Sequence, residues 1–124
     1  MTSATGQTAR ARLAAEGIDA TGWGNGPGDR YAAHAHDYDK VLVAVEGSIT
    51  FRLTALGTAV ELHEGDRLDL PSGTIHAADA GADGVRCLEG HLPAGSLRRE
   101  PRRMADWVAG SRLPGLQTDG DGEA

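Results

Sequence analysis

Two of the five histidines in the chain, His34 and His36, are separated by a single residue. In a β-strand, residues two positions apart project from the same face, so both imidazoles would point in one direction. Two neutral nitrogen donors that converge from one side suit a metal ion. The pair precedes the most apolar run of the chain, residues 40–45, so we expect the donors to lie at the edge of a core.

A third histidine, His76, follows the turn-forming residues Pro71, Ser72 and Gly73. In a closed barrel it could supply a third nitrogen from a different part of the chain. Two histidines at this spacing, without a third, are most often exposed residues of a strand. Because His76 follows a tight turn elsewhere in the chain, metal binding is the favoured interpretation here.

The segment 30–92 is typical of an all-β protein. Its apolar or alternating runs are short and separated by turn residues, with a two-residue turn expected at Glu46-Gly47 and a loop at 80–84. Such regular spacing favours a β-sandwich or a small barrel.

The chain divides into four predicted parts. Residues 1–27 form an N-terminal arm with a weakly held helix at 8–16 and a flexible glycine-rich loop from residue 21, and residues 28–95 form the barrel. Residues 96–110 form a short amphipathic helix, in which Trp107 anchors the helix on the barrel or on a partner subunit. The Gly- and Asp-rich residues 111–124 are predicted to be a disordered tail.

Composition excludes several classes of function. A chain of 124 residues is one domain, and a net charge of −6 argues against nucleic acid as a partner. No stretch approaches the roughly 20 apolar residues that span a membrane. The single cysteine, Cys87, cannot form an internal disulfide or a cysteine-built zinc site. With no secretory signal in the sequence, we expect a cytoplasmic protein.

The spacing of these residues resembles the first motif of the cupin superfamily. Gly28, His34, His36, Lys40 and Gly47 stand at the positions of that motif. Every interval fits, and the departure is Lys40, where the family has a glutamate.

The second cupin motif is matched in the same way by Gly65, Pro71, Gly73 and His76, and Ala80 replaces its asparagine. The resemblance therefore covers residues 28–92 with two motifs in the right order. It indicates the fold strongly and the reaction weakly, because one fold hosts many activities.

The resemblance implies a cupin-type double-stranded β-helix, or jelly-roll, barrel with a short C-terminal helix. It implies a divalent metal ion (Fe, Zn, Ni, Cu or Mn) bound by His34, His36 and His76. It also implies a dioxygenase- or isomerase-like enzyme that acts on a small polar or anionic molecule, and a homodimer. The alternative is a non-catalytic cupin that binds a small ligand or a metal, as a sensor or storage protein.

Lys40 has the same strand parity as the histidine pair, so we expect its side chain to face the site. In one interpretation three histidines bind the metal, and Lys40 pairs with a substrate carboxylate or acts as a base. In a second, Asp37 or Asp39 turns inward and supplies the missing carboxylate ligand. In a third, metal binding is weak or lost and the barrel binds a small molecule. Tyr38 shares the same face, so Lys40 and Tyr38 are the candidate catalytic residues.

Three further residues could have a role at the site by their type. Cys87 alternates with inward-facing positions of the last strand and is predicted to be a small buried hydrophobe rather than a pocket residue. His63 and His91 lie outside the motif positions, and no role is predicted for them.

Overall fold

The computed structural model describes residues 3–110. Along the chain the elements are α1 (Ala4–Ala15), β1 (Thr21–Asn25), β2 (Arg30–His34), β3 (Asp39–Leu53), β4 (Thr58–His63), β5 (Arg67–Leu70), β6 (His76–Leu92), β7 (Arg102–Met104) and α2 (Trp107–Gly110). A short 3-10 turn at Thr54–Leu56 separates β3 from β4. The prediction of an all-β fold with a short C-terminal helix is confirmed.

Two long strands, β3 and β6, pair with each other and pass through both layers of the barrel. The first half of β3 pairs with β5 and with the second half of β6, and β1 and β7 extend this layer at its edges. The second half of β3 pairs with β4 and with the first half of β6, whose other neighbour is β2. All these pairings are antiparallel, and together they form a double-layered barrel.

The turn expected at Glu46-Gly47 and the loop expected at 80–84 are wrong, because both segments are bends inside continuous strands. The pairing of β3 with β6 shifts register next to Gly47, which has a φ of 72°, and Gly84 has a φ of 79°. The two bends lie side by side, so the ladder continues across them with Gly47 opposite Val85. Glycine permits the left-handed backbone that each bend requires.

The first half of β3 is buried on both faces, which explains its continuous apolar run. Leu42 and Ala44 point into the barrel and belong to its inner core. Val41 and Val43 point outward and pack in a second cluster, under the N-terminal helix.

The helix α1 is firmly packed, which corrects the prediction of a weakly held arm. Ala9 and Leu13 are fully buried against the outer face of β3. Arg12 also donates to the backbone carbonyl of Trp107. The prediction was wrong because the few apolar residues of α1 pack against Val41 and Val43 of β3, and the sequence alone does not show this contact.

The glycine-rich segment after α1 is a strand rather than a flexible loop. Residues 21–25 form β1 and pair along β6, with Thr21 opposite Glu89 and Asn25 opposite Val85. A Cβ atom on Gly24 would lie 3.1 Å from the carbonyl oxygen of Val85, so a small residue suits this close approach.

The C-terminal helix predicted over residues 96–110 is confined to Trp107–Gly110. Residues Arg102–Met104 instead form β7, because the free edge of β5 offers hydrogen-bond partners that an isolated short helix lacks. The ring of Trp107 lies beneath the guanidinium groups of Arg12 and Arg67, at 4.0 and 4.8 Å. Within residues 3–110, no helix is long and apolar enough to cross a membrane. The predicted tail, residues 111–124, lies outside the described residues.

Candidate metal centre

Three histidines from two separate segments meet at one end of the barrel. His34 ends β2 and His76 begins β6, and the two residues are paired in the strand register. His36 follows in the connection to β3. One ring nitrogen from each of the three histidines lies within 4.8 Å of the others. The arrangement predicted from residue spacing is thus present, although His36 lies just beyond the end of β2 rather than within it.

The orientation of two rings is held by the backbone. Nδ1 of His34 lies 2.7 Å from the carbonyl oxygen of Ala32, and Nδ1 of His76 lies 2.9 Å from that of Thr74. A carbonyl oxygen only accepts, so each Nδ1 carries the hydrogen and each Nε2 keeps a free lone pair. Hydrogen bonds of this kind, from the nitrogen that does not bind the metal, orient histidine ligands in metal sites.

The third ring has a buried nitrogen without a partner. Nε2 of His36 makes no hydrogen bond within the described part of the chain, although it is buried. Buried polar atoms are nearly always paired, so an orphaned one calls for an absent partner such as a metal ion. The donor set therefore fits a divalent metal ion.

The electrostatics keep the rings of His36 and His76 neutral, which metal binding requires. Burial lowers the pKa of His36, and the charge of Lys40 lowers it further. Burial likewise lowers the pKa of His76, against a hydrogen bond to Thr74 that acts in the opposite direction. Both rings consequently offer a lone pair at neutral pH.

The histidines line a cavity of about 230 Å³ between the two layers. Its walls include the aromatic side chains of Trp23, Tyr31, Tyr38 and Phe51, and its floor carries Lys40 and Glu89. A cavity of this volume is large enough for a small molecule, and its polar side chains are available to orient one.

Lys40 faces the cavity as its strand parity predicted, and it forms an ion pair there. Its Nζ lies 3.3 Å from Oε1 of Glu89, and the two side chains are only 11% and 16% exposed. Trp23 donates from Nε1 to Oε1 of Glu89 at 2.9 Å. Nε2 of His91 lies 2.5 Å from Oε2 of the same carboxylate. Glu89 is thus held by three side chains.

Sequence reasoning missed Glu89 as a site residue. The available signal was its alternation with Cys87 on the last strand, because residues two apart share a face. Glu89 stands at no position of the two motifs, so the motifs did not indicate it. Its pairing with Lys40 depends on the register of β3 against β6, which the sequence alone does not give. His91 was likewise given no role, yet it contacts this carboxylate.

Tyr38 lies between two histidines. Its ring stacks on His36, with centroids 4.7 Å apart, and on His91, with centroids 4.2 Å apart. Burial raises the pKa of its hydroxyl, and the nearby charges of Glu89 and Asp37 raise it further. The hydroxyl therefore stays protonated at neutral pH and can donate a hydrogen bond.

The two aspartates considered as a fourth ligand are not part of the cluster. Within residues 3–110, the cluster of side chains close enough together to bind one metal ion consists of the three histidines and includes no carboxylate. Asp39 is buried, and its oxygens accept from the backbone N–H groups of Ser72 and Leu97, at 2.8 and 2.7 Å. Asp37 is exposed. The position of Asp39 next to the motif reflects loop anchoring rather than metal binding.

Cys87 is packed inside the barrel, as its strand position predicted. It is 1% exposed and belongs to the inner core cluster. Burial raises the pKa of its thiol to about 12. The residue is a small hydrophobe and does not serve the cavity.

Among known proteins, the chain is similar to solved structures. No family model matches the chain, and no curated protein matches it. A variant of oxalate decarboxylase from Bacillus subtilis matches with a TM-score of 0.54 and 23% identity, over 64% of this chain and 22% of that one. This chain thus spans about a fifth of the length of that enzyme, which has Mn(II) centers.

Two further structures agree with this fold. A cupin superfamily protein from Desulfitobacterium hafniense matches with a TM-score of 0.54 and 17% identity, over 61% of this chain and 67% of that one. The protein YhaK from Escherichia coli matches with a TM-score of 0.57 and 16% identity, over 69% of this chain and 40% of that one. The chain has the cupin fold that its two motifs predicted. Its three clustered histidines are a group that could hold a metal ion.

Proposed function

We propose that this protein is a metalloenzyme that binds one divalent metal ion through His34, His36 and His76 and acts on a small polar or anionic molecule. The observation that carries the proposal is the buried Nε2 of His36, which lacks a partner beside two rings whose Nδ1 atoms are already bonded. Imidazole nitrogens suit Fe, Zn, Ni and Cu, and Mn is the ion of the decarboxylase with the same fold.

A divalent ion on three neutral ligands would keep its full charge and could polarise an oxygen of a bound substrate. The residues of the chain supply the rest of the environment. Aromatic side chains line the cavity, and Tyr38 can donate a hydrogen bond from its hydroxyl. Lys40 presents a positive charge on the same side. These features suit dioxygenase- or isomerase-like chemistry on an oxygen-rich small molecule.

The second candidate is a protein that binds a small ligand or a metal without catalysis. One observation favours it: Lys40 and Glu89 are paired with each other, and Glu89 is further engaged by Trp23 and His91. Charged groups that neutralise each other are less available to move a proton. Turnover decides between the two candidates.

Metal content tests the proposal directly. Purified protein is dialysed against each of Mn²⁺, Fe²⁺, Ni²⁺, Cu²⁺ and Zn²⁺, and the bound ion is measured by mass spectrometry. We expect about one ion per chain for the wild type and its loss in His36→Ala. The matched control is His63→Ala, which removes an exposed histidine that pairs with Glu61 and does not line the cavity. Equal metal content in wild type and His36→Ala would remove the proposed site.

Oxygen uptake and isomer formation across small carboxylates, diketones, thiols and sugars distinguish enzyme from binder. Turnover that falls in Tyr38→Phe or Lys40→Met supports the enzyme. Binding without turnover for every loaded metal supports the second candidate. The homodimer stays a prediction, for which sedimentation of the purified protein is the measurement.

A further inference from the structure

We propose that Lys40 binds the carboxylate of a small organic acid in the cavity, and that Glu89 competes with this carboxylate for the same ammonium group. The inference rests on the proposed function in one respect, because it takes the three-histidine cluster as the second anchor of the ligand. It goes further by naming the chemical class of the ligand and by assigning a role to Glu89.

Lys40 has more hydrogen-bond donors than the protein uses. An ammonium group carries three N–H donors. Within residues 3–110, the ionic partner of Lys40 is Glu89, and the lysine side chain is only 11% exposed. The donors that Glu89 leaves unused can bind the oxygen acceptors of a ligand, and a carboxylate brings two of them together with the opposite charge.

Glu89 can release Lys40 and still keep hydrogen bonds. Its Oε1 accepts from Nε1 of Trp23, and its Oε2 lies against Nε2 of His91. These two contacts hold the carboxylate in place whether or not Lys40 is bound. The exchange therefore moves one ammonium group from an internal carboxylate to that of the ligand, and leaves the Glu89 carboxylate with its contacts to Trp23 and His91.

The same contacts argue against a cationic ligand. An amine would need a free acceptor in the cavity, and both oxygens of Glu89 are already engaged. The ammonium of Lys40 would also repel it. Because Lys40 has unused donors whereas the oxygens of Glu89 already have partners, the cavity favours an anionic ligand.

The dimensions limit the ligand to a small acid. The cavity measures about 230 Å³, and it contains Lys40 together with all three histidines. A hydroxy, keto or second carboxyl oxygen a few bonds from the first carboxylate can contact the histidine end while the carboxylate contacts Lys40.

The test compares charged acids with their neutral amides. Glycolate, lactate and malonate, with glycolamide, lactamide and malonamide, are titrated by calorimetry into Zn²⁺-loaded and into EDTA-treated protein. We expect Lys40→Met to weaken acid binding at least tenfold. We expect Glu89→Gln to tighten it several-fold, because the competing charge is removed while a side chain of the same shape remains. Amide binding should change little in either variant.

The opposite signs separate recognition from structural damage. A merely structural role would make both substitutions weaken binding, and that result would overturn the proposal. So would equal binding of acids by wild type and Lys40→Met, or no binding of any acid. The double variant Lys40→Met/Glu89→Gln buries no unpaired charge, so it keeps the test valid if Lys40→Met alone folds poorly. We expect it to bind acids at least tenfold more weakly than Glu89→Gln.

Metal content measured on the same samples separates the two proposals. Wild-type protein without metal contradicts the proposed function, whereas the EDTA-treated samples still report whether Lys40 and Glu89 act on acids with opposite signs.

Discussion

The backbones of Gly47 and Gly84 meet so closely that a Cβ atom on Gly47 would overlap the carbonyl oxygen of Gly84. This contact lies where β3 and β6 bend together from one layer of the barrel to the other. Both residues have positive φ angles, which side chains disfavour. The bend directs the half of β6 that carries His76 toward the cavity, so the position of this histidine depends on two glycines that do not line the cavity.

Replacing Gly47 should therefore be severe. We expect Gly47→Ala to lower the free energy of unfolding by about 3 kcal/mol or more, from steric overlap with backbone added to the strain of a positive φ. The control is Gly57→Ala, which has a φ of 65° but no atom within 4 Å of the added Cβ. It should cost about 1–2 kcal/mol, since only the strain applies. Urea denaturation measures both, and equal losses would show that the close approach is unimportant.

The packing of α1 makes a second prediction. Leu13 is fully buried between α1 and the outer face of β3. We expect Leu13→Ala to cost about 2–5 kcal/mol, as is usual for a large side chain removed from a core. Leu56→Ala serves as the control, because Leu56 is 59% exposed and should cost at most about 0.5 kcal/mol. If Leu13→Ala lowers the free energy of unfolding as little as the control does, α1 contributes little to stability and the prediction of a weakly held arm is correct.

Asp39 should make stability depend on acid pH. Burial raises the pKa of its carboxyl, but hydrogen bonds from Leu97, Ser72 and neighbouring backbone N–H groups outweigh burial and leave the pKa lowered. A lowered pKa in the folded state means that the contribution is fully present above the unfolded-state pKa, near 3.8, and is lost as pH falls through the folded-state value.

We expect Asp39→Asn to cost about 1–3 kcal/mol at pH 7, because it removes charge-assisted hydrogen bonds to buried donors. Its stability should also fall less steeply than that of the wild type below about pH 4. Thermal unfolding from pH 2 to 7 is the measurement, with the exposed Asp83→Asn as the control. An unchanged acid limb in Asp39→Asn would contradict the assigned anchoring of the loop.

The thiol of Cys87 should be inert in the native protein. Only a thiolate reacts readily with disulfide reagents, and burial raises the pKa of this thiol to about 12. At pH 8 we expect no reaction with Ellman's reagent in buffer and one equivalent in urea. Rapid reaction of the folded protein would show that the side chain opens to the cavity or to solvent.

The sequence by itself determined the fold and the identity of the clustered histidines. Their types and intervals are local properties: one residue separates His34 from His36, and the turn at Gly73 precedes His76. The spacing of turn residues in the same way indicated short strands. These inferences held because each depends on a few neighbouring residues and on the period of a strand.

Only the tertiary structure decided which residues complete the cavity. Glu89 meets Lys40 because β6 lies beside β3 in one particular register, and 49 positions separate the two residues along the chain. For the same reason β1 and β7 are strands: each has little intrinsic preference, and the free edge of β6 or β5 supplies its hydrogen bonds. Pairing between distant segments, rather than local pattern, placed the charge that faces the three histidines.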